Sequence, residues 1–293
     1  MSERKGLMGA LALVAPVQAI VTLVIFIPAL YVLWLSFQSS TYGQAAQFVG
    51  LANYSRVLSD PYFWRALINT AVVVLVVVHV ELLLGLGMAL LFASGLVARP
   101  LLLAVVLAPY AVSEVSAVVM WRFLFDPSIG IVTQALLALG LPTLEWAVFP
   151  SHGLFIVALL SIWLHLPFTF IILYAARLSV PGELYEAAAI DGASPWARFR
   201  RVTLPLLVPA MLIAMLFRYI FAFRLFSEVW LMTGGGPARQ TEVLAVYLYN
   251  EAFRYNQFGT ASATGWLLVI ASLGLALFYL RKIYKEMFAN APA

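Results

Sequence analysis

The stretch Glu186-Ala187-Ala188-Ala189-Ile190-Asp191-Gly192-Ala193 is a short charged segment between two long apolar runs. Pro181 suits the first turn of a helix, because its missing N–H has no intrahelical partner there. Gly192 can take the left-handed conformation that ends a helix, and Ser194-Pro195 supplies an N-cap with a first-turn proline. The pattern therefore predicts two short helices that meet at Gly192 and form a blunt protrusion, which we call the peg (residues 181–204).

The composition around the peg is that of a membrane protein. The chain has 293 residues, of which 64% are hydrophobic and 10% are charged, whereas soluble domains average about 25% charged residues. The net charge of +4 indicates basic residues on the cytoplasmic side of a membrane rather than nucleic-acid binding. The chain contains no cysteine, which excludes disulfides, iron–sulfur clusters and thiolate metal sites.

Six stretches are long and apolar enough to cross a bilayer, which takes about 20 residues. The first is too long for a cleaved signal peptide and is read as an uncleaved span. The sequence thus predicts an all-α membrane protein with one transmembrane domain over residues 1–293. The predicted spans are 11–37, 66–92, 101–120, 154–176, 206–232 and 261–280.

The predicted outer loop 233–260 begins with Gly234-Gly235-Gly236-Pro237, a turn cluster. Apolar residues at helical spacing follow it, which predicts a short helix on the outer membrane surface. Such a helix either covers the ends of the spans or docks a partner. The spaced residues are Val243, Val246, Tyr247, Asn250 and Phe253.

The distribution of lysine and arginine orients the chain. With a cytoplasmic N-terminus, ten of these residues lie inside and five outside, which is the bias that membrane proteins follow. Both termini and the peg are therefore expected in the cytoplasm. The inner set is Arg4, Lys5, Arg99, Arg177, Arg198, Arg200, Arg201, Arg281, Lys282 and Lys285, and the outer set is Arg56, Arg65, Arg122, Arg239 and Arg254.

The order of residues in the peg resembles the "EAA" loop of ABC-importer permeases. In that family E-A-A, D-G-A, F, L-P and P recur at the spacings found here between Glu186 and Pro209. The resemblance implies the type I importer permease fold, with the peg as a coupling loop that inserts into a separate ATPase subunit. The residues to which it assigns this role are Glu186, Ala187, Ala188, Asp191, Gly192, Ala193 and Phe199.

The C-terminal half is similar to the maltose-type carbohydrate-importer permeases. The similarity lies in Leu231-Met232-Thr233-Gly234-Gly235-Gly236-Pro237, Ala252-Phe253 and Phe258-Gly259. The extra N-terminal helices and the large periplasmic insertion of the maltose-type archetype are missing. The resemblance implies a multi-pass protein of a bacterial inner membrane that works with two ATPase subunits, an extracytoplasmic solute-binding protein and a second permease. That second permease is expected to be a related chain, with a homodimer as the alternative.

In that family the substrate contacts come from the third span and from the spans before and after the coupling loop. The candidates that follow by relative position are Tyr110, Glu114, Ser161, His165, Phe168, Arg218 and Ala222. Aromatic faces can stack on sugar rings, and polar tips can pair with hydroxyls. Arg218 either binds a substrate, in which case it favours an anionic sugar, or pairs with Glu114.

Catalytic chemistry is not expected in this chain. No G-x-x-x-x-G-K-[ST] loop is present, so ATP and Mg²⁺ are expected on the partner ATPases and no cofactor on the permease. His79 and Glu81 form an isolated H-x-E, but residues two apart on a helix point to different sides. No metal site and no catalytic site are therefore predicted.

Charged residues within spans are functional candidates by default. Arg224 and Glu228 are four residues apart and are expected to pair on one helical face. The alternative to an ATP-driven importer is an ion-coupled transporter that uses Glu81 or Glu114 as its proton site. A membrane-embedded enzyme would need a convergent cluster of reactive side chains, and none is evident.

Overall fold

The computed structural model describes residues 13–289, and these are mostly helical. The two short strands β1 (Gln38–Ser39) and β2 (Gln47–Phe48) pair antiparallel. In chain order the helices are α1 (Leu13–Ser36), α2 (Ala52–Ser59), α3 (Pro61–Phe92), α4 (Arg99–Leu107), α5 (Glu114–Leu124), α6 (Ile131–Ala138), α7 (Pro150–Leu178), α8 (Gly182–Ile190), α9 (Pro195–Ala222), α10 (Ser227–Met232), α11 (Leu244–Tyr249) and α12 (Phe258–Ala289).

The predicted all-α membrane fold is confirmed. By length and composition, five of the described helices can cross a bilayer, and the bent pair α4 and α5 makes a sixth if it counts as one span. The five are α1, α3, α7, α9 and α12, and they overlap the predicted spans. Residues 11 and 12 of the first predicted span, together with Arg4 and Lys5, lie outside the described residues.

The third span is broken, whereas the sequence predicted a continuous helix over 101–120. A 3₁₀ turn, Ala108–Ala111, follows α4, and α5 then departs at 99°. Pro109 begins this change, because it has no N–H to continue the α-helical pattern. Val112 and Ser113 are extended at the break. Such backbone is tolerated at membrane depth where it lines a cavity.

The fifth predicted span, 206–232, has the wrong limits. Helix α9 begins at Pro195, inside the peg, and ends at Ala222. It contains a π-helical turn at Phe199–Thr203. Pro205 follows this turn, where its missing N–H prevents a regular α-helical bond. The second helix of the peg and the fifth span are therefore one continuous helix.

The described residues form two compact units. One contains the residues up to Asp60 together with Leu248–Leu267, and the other contains Pro61–Tyr247 and the residues from Leu268 onward. A single permease domain over 1–293 stays a prediction.

Close backbone contact organises the first unit. The backbone N–H of Phe258 donates to the carbonyl of Ser40 over 3.0 Å. Next to it, a Cβ added at Gly259 would lie 2.1 Å from the carbonyl oxygen of Gln38 and 2.7 Å from Nδ2 of Asn53. The start of α12 therefore requires glycine at this position.

In the second unit, α3 and α7 pack along their length. Gly85 permits the approach, because a Cβ there would lie 3.0 Å from Cγ2 of Thr169. Phe92, Phe170 and Tyr174 form an aromatic cluster at one end of this contact, with Phe170 stacked on Tyr174 at 5.3 Å. The two helices thus form a rigid frame for the side chains that they carry.

Helix α11 confirms the predicted helical stretch after the Gly234–Pro237 turn. Its place on the outer membrane surface stays a prediction, while Val243 and Val246 are fully buried in the apolar core that includes Trp146. Because both faces of this segment carry large apolar residues, the core encloses it.

The carboxylate of Asp126 stabilises the loop between α5 and α6. Asp126 accepts hydrogen bonds from the backbone N–H groups of Ser128 at 2.8 Å and Ile129 at 3.0 Å. These bonds favour the charged form and lower the pKa of Asp126 below its ordinary value.

Candidate functional site

A cavity of about 410 Å³ lies within the second unit, between the broken third span and helices α7 and α9. Six of the seven predicted substrate-pathway residues line it: Tyr110, Glu114, Ser161, His165, Arg218 and Ala222. The other wall residues are Phe221, Arg224, Leu225 and Glu228. We call this space the central cavity.

Phe168, the seventh candidate, does not line the central cavity. Its ring packs edge-on against Phe217 at 6.3 Å and Phe221 at 6.1 Å. Phe221, which follows Phe217 by one turn on α9, lines the cavity wall instead. Phe168 therefore supports a wall residue and has no face on the cavity.

Arg218 lines the cavity but is paired with Glu81, and the pair with Glu114, one of its two predicted roles, is not formed. Its Nε lies 2.5 Å from Oε2 of Glu81, and its Nη2 lies 2.8 Å from Oε1. Arg218 is 2% exposed and Glu81 is fully buried. This two-pronged geometry matches the planar guanidinium to the carboxylate and joins α9 to α3 at the cavity wall.

The predicted ion pair between Arg224 and Glu228 is not formed. Helix α9 ends at Ala222 and α10 begins at Ser227, so the two residues do not share a helical face. In the described part of the chain, Arg224 has no carboxylate within 4.0 Å. It is an exposed cation on the cavity wall.

The histidines of the second unit have local partners. Nδ1 of His165 lies 2.9 Å from the carbonyl oxygen of Ser161, one turn earlier on α7. Nδ1 of His79 lies 2.8 Å from the carbonyl oxygen of Leu75, while Glu81 binds Arg218. Among residues 13–289 no group of three or more histidine, aspartate or glutamate side chains is placed to hold a metal ion.

The peg is a helix–turn–helix closed by backbone hydrogen bonds. After α8, Gly192 has φ +73°, and the N–H of Ala193 donates to the carbonyl of Ala188 over 2.9 Å. The hydroxyl of Ser194 then accepts from the N–H of Ala197 at the start of α9. This is the turn expected of glycine at the end of a helix and serine at the start of the next.

The peg is fixed to the ends of the spans by polar and aromatic contacts. The hydroxyl groups of Tyr185 and Thr203 lie 3.0 Å apart, and the guanidinium of Arg177 lies 4.4 Å from the centre of the Tyr185 ring. Apolar side chains remain on the outer surface of the peg, with Ile190 87% and Trp196 67% exposed. An exposed apolar surface of this kind is typical of a protein-binding site.

Residues 81–289 match the family described as binding-protein-dependent transport system inner membrane component. The chain belongs to this family. It is the membrane-spanning permease component of a transport system, and the family places ATP hydrolysis on a separate subunit. The matched residues include the peg, the central cavity and both partners of the buried ion pair.

Individual relatives of this permease extend over nearly all of the chain. The trehalose/maltose transport system permease protein MalF of Thermococcus litoralis is 33% identical, over 92% of this chain and 91% of its own length. The diacetylchitobiose uptake system permease protein DasB of Streptomyces coelicolor is 35% identical, over 97% of this chain and 89% of its own.

A solved structure supports the fold of the permease. It is a bacterial alginate ABC transporter in complex with an alginate pentasaccharide-bound periplasmic protein, and one of its chains superposes with a TM-score of 0.82. The match covers 94% of this chain and 93% of that chain at 22% sequence identity. At that identity the likeness establishes the fold alone.

Sequence reasoning missed the wall residues of the permease beyond Ala222. Arg224 and Glu228 stood out as charges in an apolar run, but the assumption of a continuous helix paired them with each other. A turn signal was lacking, because Phe223 to Phe226 contain no glycine or proline. The partner of Arg218 was missed because Glu81 is 137 residues away in the chain.

Proposed function

We propose that this permease forms half of the transmembrane route of an ATP-driven importer for a sugar or a sugar derivative. In this proposal the central cavity is its share of the substrate pathway, and the peg is the contact surface for an ATPase subunit. The peg residues assigned to this contact are Glu186, Ala187, Ala188, Asp191, Gly192, Ala193 and Phe199.

The observation that carries the proposal is the continuity of α9. This helix contains Phe199 in the peg and Arg218 at the cavity, which are 218 − 199 = 19 residues apart. At 1.5 Å per residue they are separated by roughly 28 Å, which is about the thickness of the hydrocarbon core of a bilayer. The helix therefore gives a movement of the peg on one side of the membrane a continuous route to the cavity wall.

The side chains around the cavity suit a carbohydrate. Tyr110 and Phe221 offer aromatic faces, while Ser161, His165 and Glu114 offer polar atoms that can bind hydroxyl groups. The volume of about 410 Å³ falls within the range of roughly 300–1,000 Å³ that small-molecule sites occupy. The trehalose/maltose and diacetylchitobiose permeases named above also point to this substrate class.

Any preference of the permease for an anionic substrate depends on Arg224 more than on Arg218. Glu81 neutralises the Arg218 guanidinium, so Arg218 by itself no longer favours an anionic sugar. Arg224 is an exposed cation on the same wall. An acidic group on the substrate would therefore be bound by Arg224, which lines the same cavity as Glu114 and Glu228.

The remaining parts of the importer are supplied by other chains. A second permease, related or identical, completes the pathway, two ATPase subunits hold ATP and Mg²⁺, and an extracytoplasmic protein delivers the sugar. The charge bias described above orients the chain in the bacterial inner membrane with both termini and the peg in the cytoplasm.

Reconstitution tests this function. The permease is placed in proteoliposomes with its second permease and its ATPases, and the binding protein is added outside together with labelled trehalose, maltose or diacetylchitobiose. We expect uptake that requires ATP inside and that persists when an uncoupler removes the proton gradient. Uptake that survives without ATP and stops with the uncoupler would instead establish the ion-coupled alternative.

A further inference from the structure

A second cavity, of about 480 Å³, lies between the peg and the ends of the spans. Its walls are the end of α3, the end of α7, the underside of the peg and the first turns of α9. We call it the peg cavity. The described residues that line it are Leu90, Ala93, Ser94, Arg177, Tyr185, Pro195, Arg198, Phe199 and Thr203.

The charge of the peg cavity is entirely positive among its described lining residues. Arg177 and Arg198 line it, and neither has a carboxylate within 4.0 Å in the described part of the chain. Arg177 lies over the ring of Tyr185, which orients its guanidinium but does not neutralise it. The cavity is therefore a concave site that favours an anion.

One donor of a lining residue is buried without an acceptor. The Nε atom of Arg198 is shielded from solvent and has no hydrogen-bond partner. Leaving a buried donor unsatisfied is costly, and the cost is greater for a charged group. An anion could accept from this atom only after the Arg198 side chain moves, so the preference of the cavity for an anion rests on the two guanidinium charges.

The position of the cavity indicates where that anion comes from. Helix α3 has 32 residues and ends at Phe92, and α7 has 29 residues and ends at Leu178. Because about 20 residues cross the hydrocarbon core, the ends of these longer helices, with Ser94 and Arg177, reach the headgroup level. Lipid phosphates occupy this level of a bilayer, and basic pockets between transmembrane helices bind anionic headgroups. Leu90 and Phe199 add apolar walls on which the glycerol and upper acyl carbons can rest.

We propose that the peg cavity binds a phosphate-bearing anion, and that its occupant is the headgroup of an anionic phospholipid from the leaflet on the peg side. Arg198 and Arg177 bind the phosphate oxygens, a geometry that guanidinium groups favour. Because Arg198 and Phe199 belong to the peg and Ser94 follows α3, the bound lipid links the peg to the end of α3. The proposal concerns a lipid site and does not depend on the identity of the transported substrate.

Native mass spectrometry of the purified full-length permease tests this site. The detergent-solubilised protein is titrated with phosphatidylglycerol or phosphatidylcholine, and the bound lipid is counted on wild type, Arg177→Gln, Arg198→Gln and the double variant. Each arginine near a lipid surface contributes enough to change binding about fivefold. We therefore expect phosphatidylglycerol binding to weaken about fivefold in each single variant and about 25-fold in the double variant, with little phosphatidylcholine bound to any.

Arg200→Gln is the matched control. Arg200 is an exposed arginine two residues from Arg198 and is absent from the cavity wall, so its loss should leave the titration unchanged. Arg198→Lys keeps the charge and should retain more lipid than Arg198→Gln, which separates charge recognition from misfolding. Equal phosphatidylglycerol binding by wild type and the double variant would overturn the assignment of a lipid to this cavity.

A parallel titration with inorganic phosphate distinguishes the two sources of the anion. In one outcome, phosphate binding is weakened by both arginine substitutions while phosphatidylglycerol binding is unchanged by them. The anion site then stands, and the lipid is rejected as its occupant. If phosphate does not displace bound phosphatidylglycerol and the arginine dependence holds, the lipid assignment is supported.

Discussion

Neutralising one member of the Glu81–Arg218 pair is expected to destabilise the permease by about 3–5 kcal/mol. The two side chains share two short hydrogen bonds and are 0% and 2% exposed. Glu81→Gln leaves a buried guanidinium without its counter-charge, and Arg218→Gln leaves a buried carboxylate. Each remaining charge stays buried, so each single substitution carries most of the desolvation cost that the pair now offsets.

The double variant Glu81→Gln with Arg218→Gln should lose less stability than the sum of the two singles. It removes both charges and leaves two amides of similar size, which can hydrogen-bond to each other. Residues in direct contact typically show interaction energies of about 0.5–3 kcal/mol, and this buried two-pronged pair belongs at the upper end. The assay is thermal unfolding of the purified permease in detergent, with all four proteins measured under one condition.

The control for this cycle is Arg224→Gln. Arg224 is exposed and forms no ion pair in the described structure, so its substitution should change stability by no more than about 0.5 kcal/mol. If the two single variants proved additive, or if Arg218→Gln were as mild as Arg224→Gln, the two residues would not be paired in the folded protein. That result would refute the assignment of Glu81 as the partner of Arg218.

Three further outcomes follow from backbone and loop geometry. Gly192→Val should impose about 1–2 kcal/mol of left-handed strain and reduce substrate-stimulated ATP hydrolysis in the reconstituted importer, whereas Gly182→Ala, which has open space and no positive φ, should not. Gly259→Ala should lower the melting temperature measured in detergent, because a Cβ there overlaps backbone, while Gly87→Ala, with nothing within 4 Å, should leave it unchanged. The pKa of Asp126 is lowered in the folded protein, so the charged carboxylate stabilises its loop at pH values above the ordinary aspartate pKa. This stabilisation is lost as the pH falls through the folded-state pKa. Asp126→Asn should abolish this pH-dependent protection of the loop, measured by hydrogen exchange.

The peg was predictable because its signals are local. Pro181, Gly192 and Ser194 each specify the backbone within a few residues of themselves, and a short turn contains all the partners that these signals need. The six apolar stretches were predictable for a similar reason, since crossing a bilayer requires length and composition. Both kinds of prediction use information that lies within a single stretch of sequence.

The details of the central cavity depend on contacts that the sequence pattern does not encode. The hydropathy of a stretch reports its composition and not whether its helix is continuous. The predicted spans therefore ran from α4 into α5 across Pro109, and from α9 past Ala222 into α10. The Glu81–Arg218 pair requires α3 and α9 to be placed side by side. Helical spacing compares residues along one helix only, and it therefore could not select Glu81 over Glu114.

The two cavities are connected by one segment of α9. Ser194 caps the helix in the peg, and Arg218 ties it to α3 through the buried pair at the central cavity. A displacement of the peg must therefore either shift the whole helix or bend it between these two points. Between these points regular helical bonding is interrupted at the π-helical turn Phe199–Thr203, at Pro205 after it and again at Pro209.

The peg cavity lies against this same turn, because Phe199 and Thr203 form part of its wall. An anion held there by Arg198 would resist bending at the turn, so that a peg displacement is transmitted to Arg218 instead of being absorbed. We therefore expect the Arg177→Gln/Arg198→Gln variant to transport less substrate per ATP hydrolysed in the reconstituted importer. An unchanged ratio of transport to hydrolysis, together with lost lipid, would separate the lipid site from coupling.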